Sequence, residues 1–538
     1  MCGIFAYIYE DGCVSPDVID SAMCCQHRGP DNTHQMTVNN NIFLVFHRLI
    51  INDKSSLGNQ PMLHPEDDNL ILLCNGEIYN WKELASSYGI TTHSTSDCEI
   101  ILHLYKKLGM LETISLLDGD FAFILVDKSS NVIYAGRDPI GVRPLYIATS
   151  DDHGDRSCIG IASEMKSLSD LCKKVWQVKP GGFYVIKDSH HLEYHHYYSY
   201  VYPPTTYNEE TLRELLINSV RKRLLTERPF GCLLSGGLDS SLVAAILVHH
   251  LGIKDLHTFS IGLEGSEDLK YAREVADYLG TIHQEYVVSE EEMLNAIPEV
   301  IYMIESYDTT TVRASTPMYL LAKYIKETTD ITVLFSGEGS DEASGSYLYF
   351  KNAPSDEDRQ HEIIRLMEDL HYFDVLRSDK SISGAGLELR VPFLDKKFLA
   401  YYLGLPSSSK AISSDRMEKH LLRSAFERDR MLPTSVLWRR KEAFSDGVSS
   451  QKRSWYGIIQ EHVSNLVTDA DMAEAETLYN SNPPKFKEAL YYRNVYEQYY
   501  PGRSAAIPYY WMPKWSNSID PSARTLEHYH ETTTQLPL

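Results

Sequence analysis

The chain has 538 residues, 43% hydrophobic and 23% charged, and 51 Lys and Arg against 74 Asp and Glu give it a formal net charge of −23. That is the composition of an ordinary globular protein long enough for about three domains, and its acidity excludes a general nucleic-acid binder, which needs a basic face. No apolar run reaches membrane-spanning length and no basic segment followed by an apolar core opens the chain, so neither a membrane partner nor a secretory leader is expected. The nine cysteines lie between Cys2 and Cys232 without C-x-x-C spacing. They read as reduced, mostly buried thiols of a cytoplasmic protein, with Cys2 the exception.

MCGIFAYIY sets Cys2 directly behind the first methionine. With Met1 removed, Cys2 would carry both a thiol and an α-amine, and an amine titrating at about 8 can act as base for its own side chain. FLVFHRLI, LILLCNGEIYN, DFAFILVD, VIYAGRD, CIGIASE and GGFYVIKD follow as short β-rich runs broken by Asn-Gly, Asp-Gly and Gly-Gly turns. Helical periods are expected chiefly near Pro16–Cys25 and Ser96–Lys107, which predicts an antiparallel, β-rich half. The His- and Tyr-rich stretch from His190 to Asn208 fits no zinc spacing and reads as a solvated strand entering a linker. Pro203 and Pro204 mark the boundary, so the domains are expected at 1–203 and 204–538.

From Glu209 the texture changes. Leu212, Leu215, Leu216 and Val220 give a helix over 209–226, and strands follow at Phe230–Leu234, Leu256–Gly262, IHQEYVV and ITVLF. A helix at SEDLKYAREVADYLG starts on a Ser cap and ends on Gly280. Strands alternating with helices predict a doubly wound parallel sheet, and ligands bind such sheets at the carboxyl ends of strands. Two loops fall there. SGGLDSS has Ser235 and Ser240 as hydroxyl donors, Gly236 and Gly237 allowing close backbone approach, and Asp239 facing a cation on phosphates. It lies between a buried strand and a helix, and no Walker sequence is present. SGEGSDE carries Glu338, Asp341 and Glu342, carboxylates suited to holding Mg²⁺ beside a phosphate loop.

CGIF, QHRGPD, FHRL, NGEIYN, TSD, DGDFAF and RDPIGVRPLY occur in the order found in the glutamine amidotransferase domain of the N-terminal-nucleophile superfamily, which the first half resembles. SGGLDSS is similar to the pyrophosphate loop of the ATP pyrophosphatases, whose members adenylate a carboxylate or carbonyl. SGEGSDE, LELRVPFLD, MEKHLLR and WRRKEAFSDGV carry the match to about Arg524, and the chain resembles the glutamine-hydrolysing asparagine synthetase family. The segment Asn352–Asp374 and the tail Glu527–Leu538 show no readable chemistry, and Glu267 stands where the family often has proline.

The resemblance implies stacked antiparallel sheets flanked by helices, then the parallel sheet with a mostly helical extension. It implies aspartate, glutamine and ATP as substrates, with β-aspartyl-AMP as intermediate, AMP, pyrophosphate and glutamate as products besides asparagine, and ammonia passing between the halves. Cys2 would attack the glutamine amide, with the Asn75 side chain and the Gly76 N–H as oxyanion donors. Arg48, Leu49, Glu77 and Asp97 would hold glutamine, Arg48 its carboxylate and Asp97 with Glu77 its ammonium. Leu233, Ile261, Ser336 and Gly337 would contact the nucleoside, and Ser235–Ser240 the pyrophosphate. Asp239 and Asp341 would hold Mg²⁺, Glu338 would serve adenylation, and Lys441 would neutralise phosphate charge. A homodimer is left open. The alternatives are a cyclising β-lactam-synthetase-like enzyme, against which Cys2, Arg48, Asn75 and Asp97 all stand, and a non-catalytic scaffold, which would have lost nucleophile or loop residues. A phosphoribosyl amidotransferase shares only the first half, and SGGLDSS excludes it.

Overall fold

The computed structural model describes residues 1–10, 14–150, 158–187, 191–413, 415–450 and 452–526, so the tail at 527–538 lies outside the described residues. The β-rich runs of the first half become Gly3–Tyr9 (β1), Asn32–Val38 (β2), Ile42–Arg48 (β3), Met62–His64 (β4), Asp67–Ile78 (β5) and Gly119–Asp127 (β6). Val132–Arg137 (β7), Tyr146–Thr149 (β8), Cys158–Ala162 (β9), Lys174–Gln177 (β10), Gly182–Ile186 (β11) and Leu192–His196 (β12) complete them. They pair antiparallel as two six-stranded sheets, β10-β8-β9-β1-β3-β2 and β12-β11-β7-β6-β5-β4. Alternation along the strands sorts the side chains. Ile4, Ala6, Leu44 and Phe46 of one sheet meet Ile71, Leu73, Ile124 and Val126 of the other in one buried layer.

The residues between those on β5 and β6, Leu72, Cys74, Phe123 and Leu125, turn outward onto the helices Ile100–Leu108 and Met110–Leu116. On the far side Phe5, Phe43 and Val45 pack with Val18 and Ala22 of the helix Pro16–Met23. Helices on both outer faces of stacked sheets are what the family resemblance implied. Two helices, Trp81–Tyr88 and Met110–Leu116, are additional; at 8 and 7 residues they are too short for a 3.6-residue period to stand out. The His- and Tyr-rich stretch is the half-exposed edge strand β12, followed by a segment without regular structure as far as Asn208.

Asn208 caps the helix Glu209–Lys222, and the second half builds a wholly parallel sheet. Its strands are Phe230–Leu233 (β13), His257–Gly262 (β14), Ile282–Val287 (β15), Val333–Phe335 (β16) and Glu388–Arg390 (β17), in the order β15-β14-β13-β16-β17. Strand order reverses direction at β13, which pairs with β14 on one edge and β16 on the other. A crevice opens at such a switch point, between the loops leaving β13 and β16. The fifth strand, β17, was hidden in the sequence because its three residues include Glu388 and Arg390. The helix Glu267–Leu279 has the expected Ser266 cap, donated to by Leu269 N–H, and ends on Gly280 at φ 69°. Beyond β17 the chain is largely helical. Among the described residues no helix is long and apolar enough to cross a membrane.

The two halves meet through buried ions. Arg28, Arg143, Glu164 and Lys166 of the first half face Glu305, Asp379, Lys380 and Glu388 of the second. Desolvation makes such charges costly unless each is paired, and here part of the pairing comes from across the interface. Met1 belongs to this seam. It is 1% exposed, and its amino group lies 3.1 Å from Glu388 Oε2.

Candidate active site

Two separate clusters of the expected residues form. The first lies where β1, β3 and β5 come together. Cys2 precedes β1, Arg48 ends β3 and Leu49 follows it, Asn75, Gly76 and Glu77 sit near the end of β5, and Asp97 opens the short turn Asp97–Glu99. Cys2 Sγ is 3.4 Å from the Leu49 N–H nitrogen, and the Cys2 N–H donates to Asn75 Oδ1 at 2.8 Å. The other end of that amide, Nδ2, is buried and has no partner. A buried donor left unsatisfied is costly, so this one is suited to a charge that arrives with a ligand. Burial pushes the Cys2 thiol up to about 11, although the amino terminus pulls it down. Gly76 has φ 151°, and a Cβ there would lie 2.2 Å from Asp120 O. Only glycine fits, and the neighbouring strand supplies the reason.

Arg48 is pinned to the turn that follows it. Its Nη1 donates to Ser55 O at 2.9 Å and Asn59 Oδ1 at 2.6 Å, and its Nη2 to Asn52 O at 3.4 Å and to Asp53 O. All four acceptors are neutral, so the guanidinium keeps its charge for an anion. Opposite it, Asn52 Nδ2 bridges Glu77 Oε2 and Asp97 Oδ1, the latter at 3.3 Å, and Asp97 Oδ2 accepts the Ile78 N–H at 2.6 Å. Burial pushes Asp97 up to about 6; burial and then Asp97 push Glu77 well above the carboxylate range. Two carboxylates are thus set around one amide, with Arg390 Nη2 3.4 Å from Glu77 Oε1. Asn52, in INDK, carried no signal in the sequence.

The second cluster is the crevice beyond β13 and β16. Leu233, Ser235, Gly237, Asp239, Ser240, Ile261, Ser336, Gly337, Glu338, Asp341 and Lys441 all line one cavity there. Gly236, in the same turn, has φ 69°, and a Cβ on it would meet the Tyr271 carbonyl carbon at 2.4 Å, so close packing against the helix Glu267–Leu279 also requires glycine there. The helix Leu238–Ala245 starts at Gly237 with no side-chain cap, which leaves its first N–H groups to a ligand. Ser235 Oγ and Ser240 Oγ lie 3.0 Å apart across the turn.

The two loops touch. A Cβ on Gly337 would stand 2.7 Å from Asp239 Cβ, and Ser340 Oγ donates to Asp239 Oδ1 at 2.8 Å. Asp239 Oδ2 and Asp341 Oδ1 each lie 2.5 Å from Lys419 Nζ, and Asp341 Oδ2 lies 2.5 Å from Lys441 Nζ. Burial alone would raise the Asp341 carboxyl, but Lys419 and Lys441 outweigh it and hold it far below the usual range. Glu338 is raised by burial against the pull of Arg377, whose Nη2 lies 2.6 Å from it. Arg377 also holds Asp374 at 2.7 Å, so the segment Asn352–Asp374, which showed no readable chemistry, ends on a residue that lines the cavity.

Arg377, Lys419, Arg423, Arg439, Arg440 and Lys441 concentrate cations around this cavity in a chain of net charge −23. Seven carboxylates, Asp239, Asp268, Glu338, Asp341, Glu342, Asp374 and Glu442, line it as well, so the cavity carries both signs of charge, much of it in ion pairs. Lys419 was missed as a site residue although it lies in MEKHLLR; it has φ 58°, uncommon for a side chain of its size and a mark of a position held by its surroundings. Among the described residues no three His, Cys, Asp or Glu side chains form a metal cage.

Each cluster lies in a segment that matches a known family. The glutamine amidotransferase domain profile matches residues 1–216, and the asparagine synthase profile matches 211–362 and 351–516. The asparagine synthetase [glutamine-hydrolyzing] of Gallus gallus is 45% identical over 562 residues, covering 98% of this chain and 99% of that protein. The Homo sapiens enzyme of the same description is also 45% identical, with the same coverage. Among solved structures, a glutamine phosphoribosylpyrophosphate amidotransferase from B. subtilis is similar at 20% identity and a TM-score of 0.31, over 47% of this chain and 64% of that one. That score is too low to carry an argument.

Proposed function

Because the chain belongs to the glutamine-hydrolysing asparagine synthetase family, and makes asparagine from aspartate with ATP and glutamine, we propose that its two clusters divide that chemistry as follows. At the first, Arg48 holds the glutamine α-carboxylate, Asp97 with Glu77 holds its α-ammonium, and Leu49 shapes the wall beside the nucleophile. Cys2 Sγ attacks the side-chain amide carbon, and the developing oxyanion takes Asn75 Nδ2 and the Gly76 N–H. The Cys2 α-amine, exposed by loss of Met1, takes the thiol proton and returns it to the departing ammonia. Water then cleaves the thioester to glutamate.

At the second, Leu233, Ile261, Ser336 and Gly337 contact the nucleoside, and Ser235, Gly237 and Ser240 with the bare helix start cradle the pyrophosphate. The aspartate β-carboxylate attacks the α-phosphorus, and pyrophosphate leaves β-aspartyl-AMP. Lys441 offsets the charge on the phosphates. Glu338 supports adenylation and then takes a proton from the ammonia that displaces AMP.

The donor set fits Mg²⁺. Asp239 and Asp341 converge on one cationic atom, Lys419 Nζ, and Mg²⁺ commonly takes one or two carboxylates with phosphates and waters. When bound, the ion would neutralise the pyrophosphate leaving group, held by Asp239 and Asp341.

The observation that carries this division is the partnerless Asn75 Nδ2 beside Cys2 in one half and the paired carboxylate–lysine loops in the other. We further take the halves to divide at 203, the chain to act in the cytoplasm, and a homodimer to be the form sought by light scattering. Replacing Cys2 by Ala tests the division. Glutamine hydrolysis and glutamine-dependent synthesis should fall to background, while ammonium salts at alkaline pH still give asparagine. Glutamine-dependent synthesis that survived in Cys2→Ala would sink it.

A further inference from the structure

The helix Asp374–Ser383 is buried from Val375 to Ser383 and carries ion pairs on two sides. Residues 377 and 379, two apart, lie about 200° around the axis from each other and so point in opposite directions. On one side Arg377 Nη2 holds Glu338 Oε2 at 2.6 Å. On the other, Asp379 is clamped by two arginines of the amino-terminal half, Oδ2 by Arg28 Nη2 at 2.7 Å and Oδ1 by Arg143 Nη1 at 3.2 Å. One turn on, Ser383 Oγ accepts Arg28 Nη1 at 2.9 Å, and Lys380 Nζ reaches Tyr146 OH at 3.0 Å. The side chains of Arg28, Arg143 and Asp379 are at most 1% exposed, so no water replaces a lost partner.

We propose that Asp379 is a positioning residue of the synthetase reaction: docked on the amino-terminal half, it fixes the helix from which Arg377 holds Glu338 in the ATP cavity. This rests on the role given above to Glu338. Glu338 stands on a loop, so its placement depends on what grips it, and Arg377 is its salt-bridge partner among the described residues. The helix is in turn gripped from the other half. The amino-terminal half is then needed by the adenylating site even when ammonia is supplied from solution. A contact that merely glues the halves would lower stability and leave no kinetic link between residues 379 and 377.

The test is ATP–pyrophosphate exchange with aspartate in full-length Asp379→Asn, Arg377→Gln and the double variant. Each single change should lower kcat for exchange by about tenfold or more while KM for ATP stays within about twofold, and the double variant should be no slower than Arg377→Gln alone, because both act through one contact. Multiplicative losses, or wild-type kcat in Asp379→Asn, would overturn the proposal. Should Asp379→Asn fail to fold, Ser383→Ala removes one Arg28 hydrogen bond and should show a smaller loss that vanishes in the Arg377→Gln background. A Ser383→Ala loss that persisted there would equally overturn it. Wild-type exchange in Arg377→Gln, or loss there with none in Asp379→Asn, would remove the proposal alone; wild-type exchange in Glu338→Ala would remove the Glu338 role itself, and the proposal with it.

Discussion

Asn75 Oδ1 accepts the Cys2 N–H at 2.8 Å while Nδ2 of the same amide is buried without a partner. One side chain thus fixes the nucleophile and presents a donor to the oxygen that becomes negative when the nucleophile attacks. Asn75→Ala should lower kcat for glutamine hydrolysis by roughly 10²–10³, the usual loss for one oxyanion donor. Glutamate release measures it. Ammonia-dependent synthesis should stay at wild-type rate, and near-normal glutamate release would remove Asn75 from the site.

Burial raises Asp97 to about 6, so it is charged above that pH and neutral below it. A raised carboxyl must lose its proton before it can hold an ammonium group. kcat/KM for glutamine reports the free enzyme, and should therefore fall about tenfold per pH unit below about 6. Asp97→Asn should remove this acid limb and lower the plateau. An acid limb unchanged in Asp97→Asn would assign it to another group.

Asp239→Asn keeps the size of the side chain and removes its charge. Asparagine formation from either nitrogen source should be lost, and the concentration of Mg²⁺ needed for half-maximal ATP–pyrophosphate exchange should rise by about tenfold or more. Glutamine hydrolysis should persist. If Asp239→Asn made asparagine from ammonia at near-wild-type rate, the carboxylate would serve only its bonds to Ser340 and Lys419.

Gly337 is where the two phosphate-side loops press together, with Asp239 Cβ 2.7 Å and the Ser240 nitrogen 2.8 Å from a Cβ built on it. Backbone atoms cannot swing aside as a side-chain tip can. Gly337→Ala should separate the loops and lower ammonia-dependent synthesis by about 10²-fold, the scale of a displacement near 1 Å at a reacting centre. Wild-type synthesis in Gly337→Ala would show that the loops slide freely.

The sequence made the nucleophile and the phosphate loop legible because each is local: Cys2 follows Met1, and SGGLDSS lies between a strand and a helix. Its β and α/β periods likewise announced an antiparallel, β-rich half followed by a parallel sheet, and the family resemblance implied that the first half stacks as two sheets. What stayed hidden depends on residues distant in the chain. Lys419 reaches Asp239 across 180 positions, and Arg377 reaches Glu338 across 39, so neither pairing can be read from neighbours in the chain, even though Lys419 lies in MEKHLLR. Asn52 joins Glu77 to Asp97 only because the turn after β3 folds back over β5. The packing that also demands glycine at Gly236 could not be read, since the helix it meets begins some thirty residues later.

The burial of Met1 at the seam has a consequence for the order of events in biosynthesis. Its amino group is covered by Glu388, a residue made long after the first domain has left the ribosome. An aminopeptidase must draw a terminus into its own cleft, and a closed seam denies it that. If Met1 is trimmed, as the proposed mechanism requires, the cut must precede the closing of the second half over the terminus. A polypeptide that closes with Met1 still in place should resist the peptidase until it is unfolded, and so be stranded as a synthetase fed only by free ammonia.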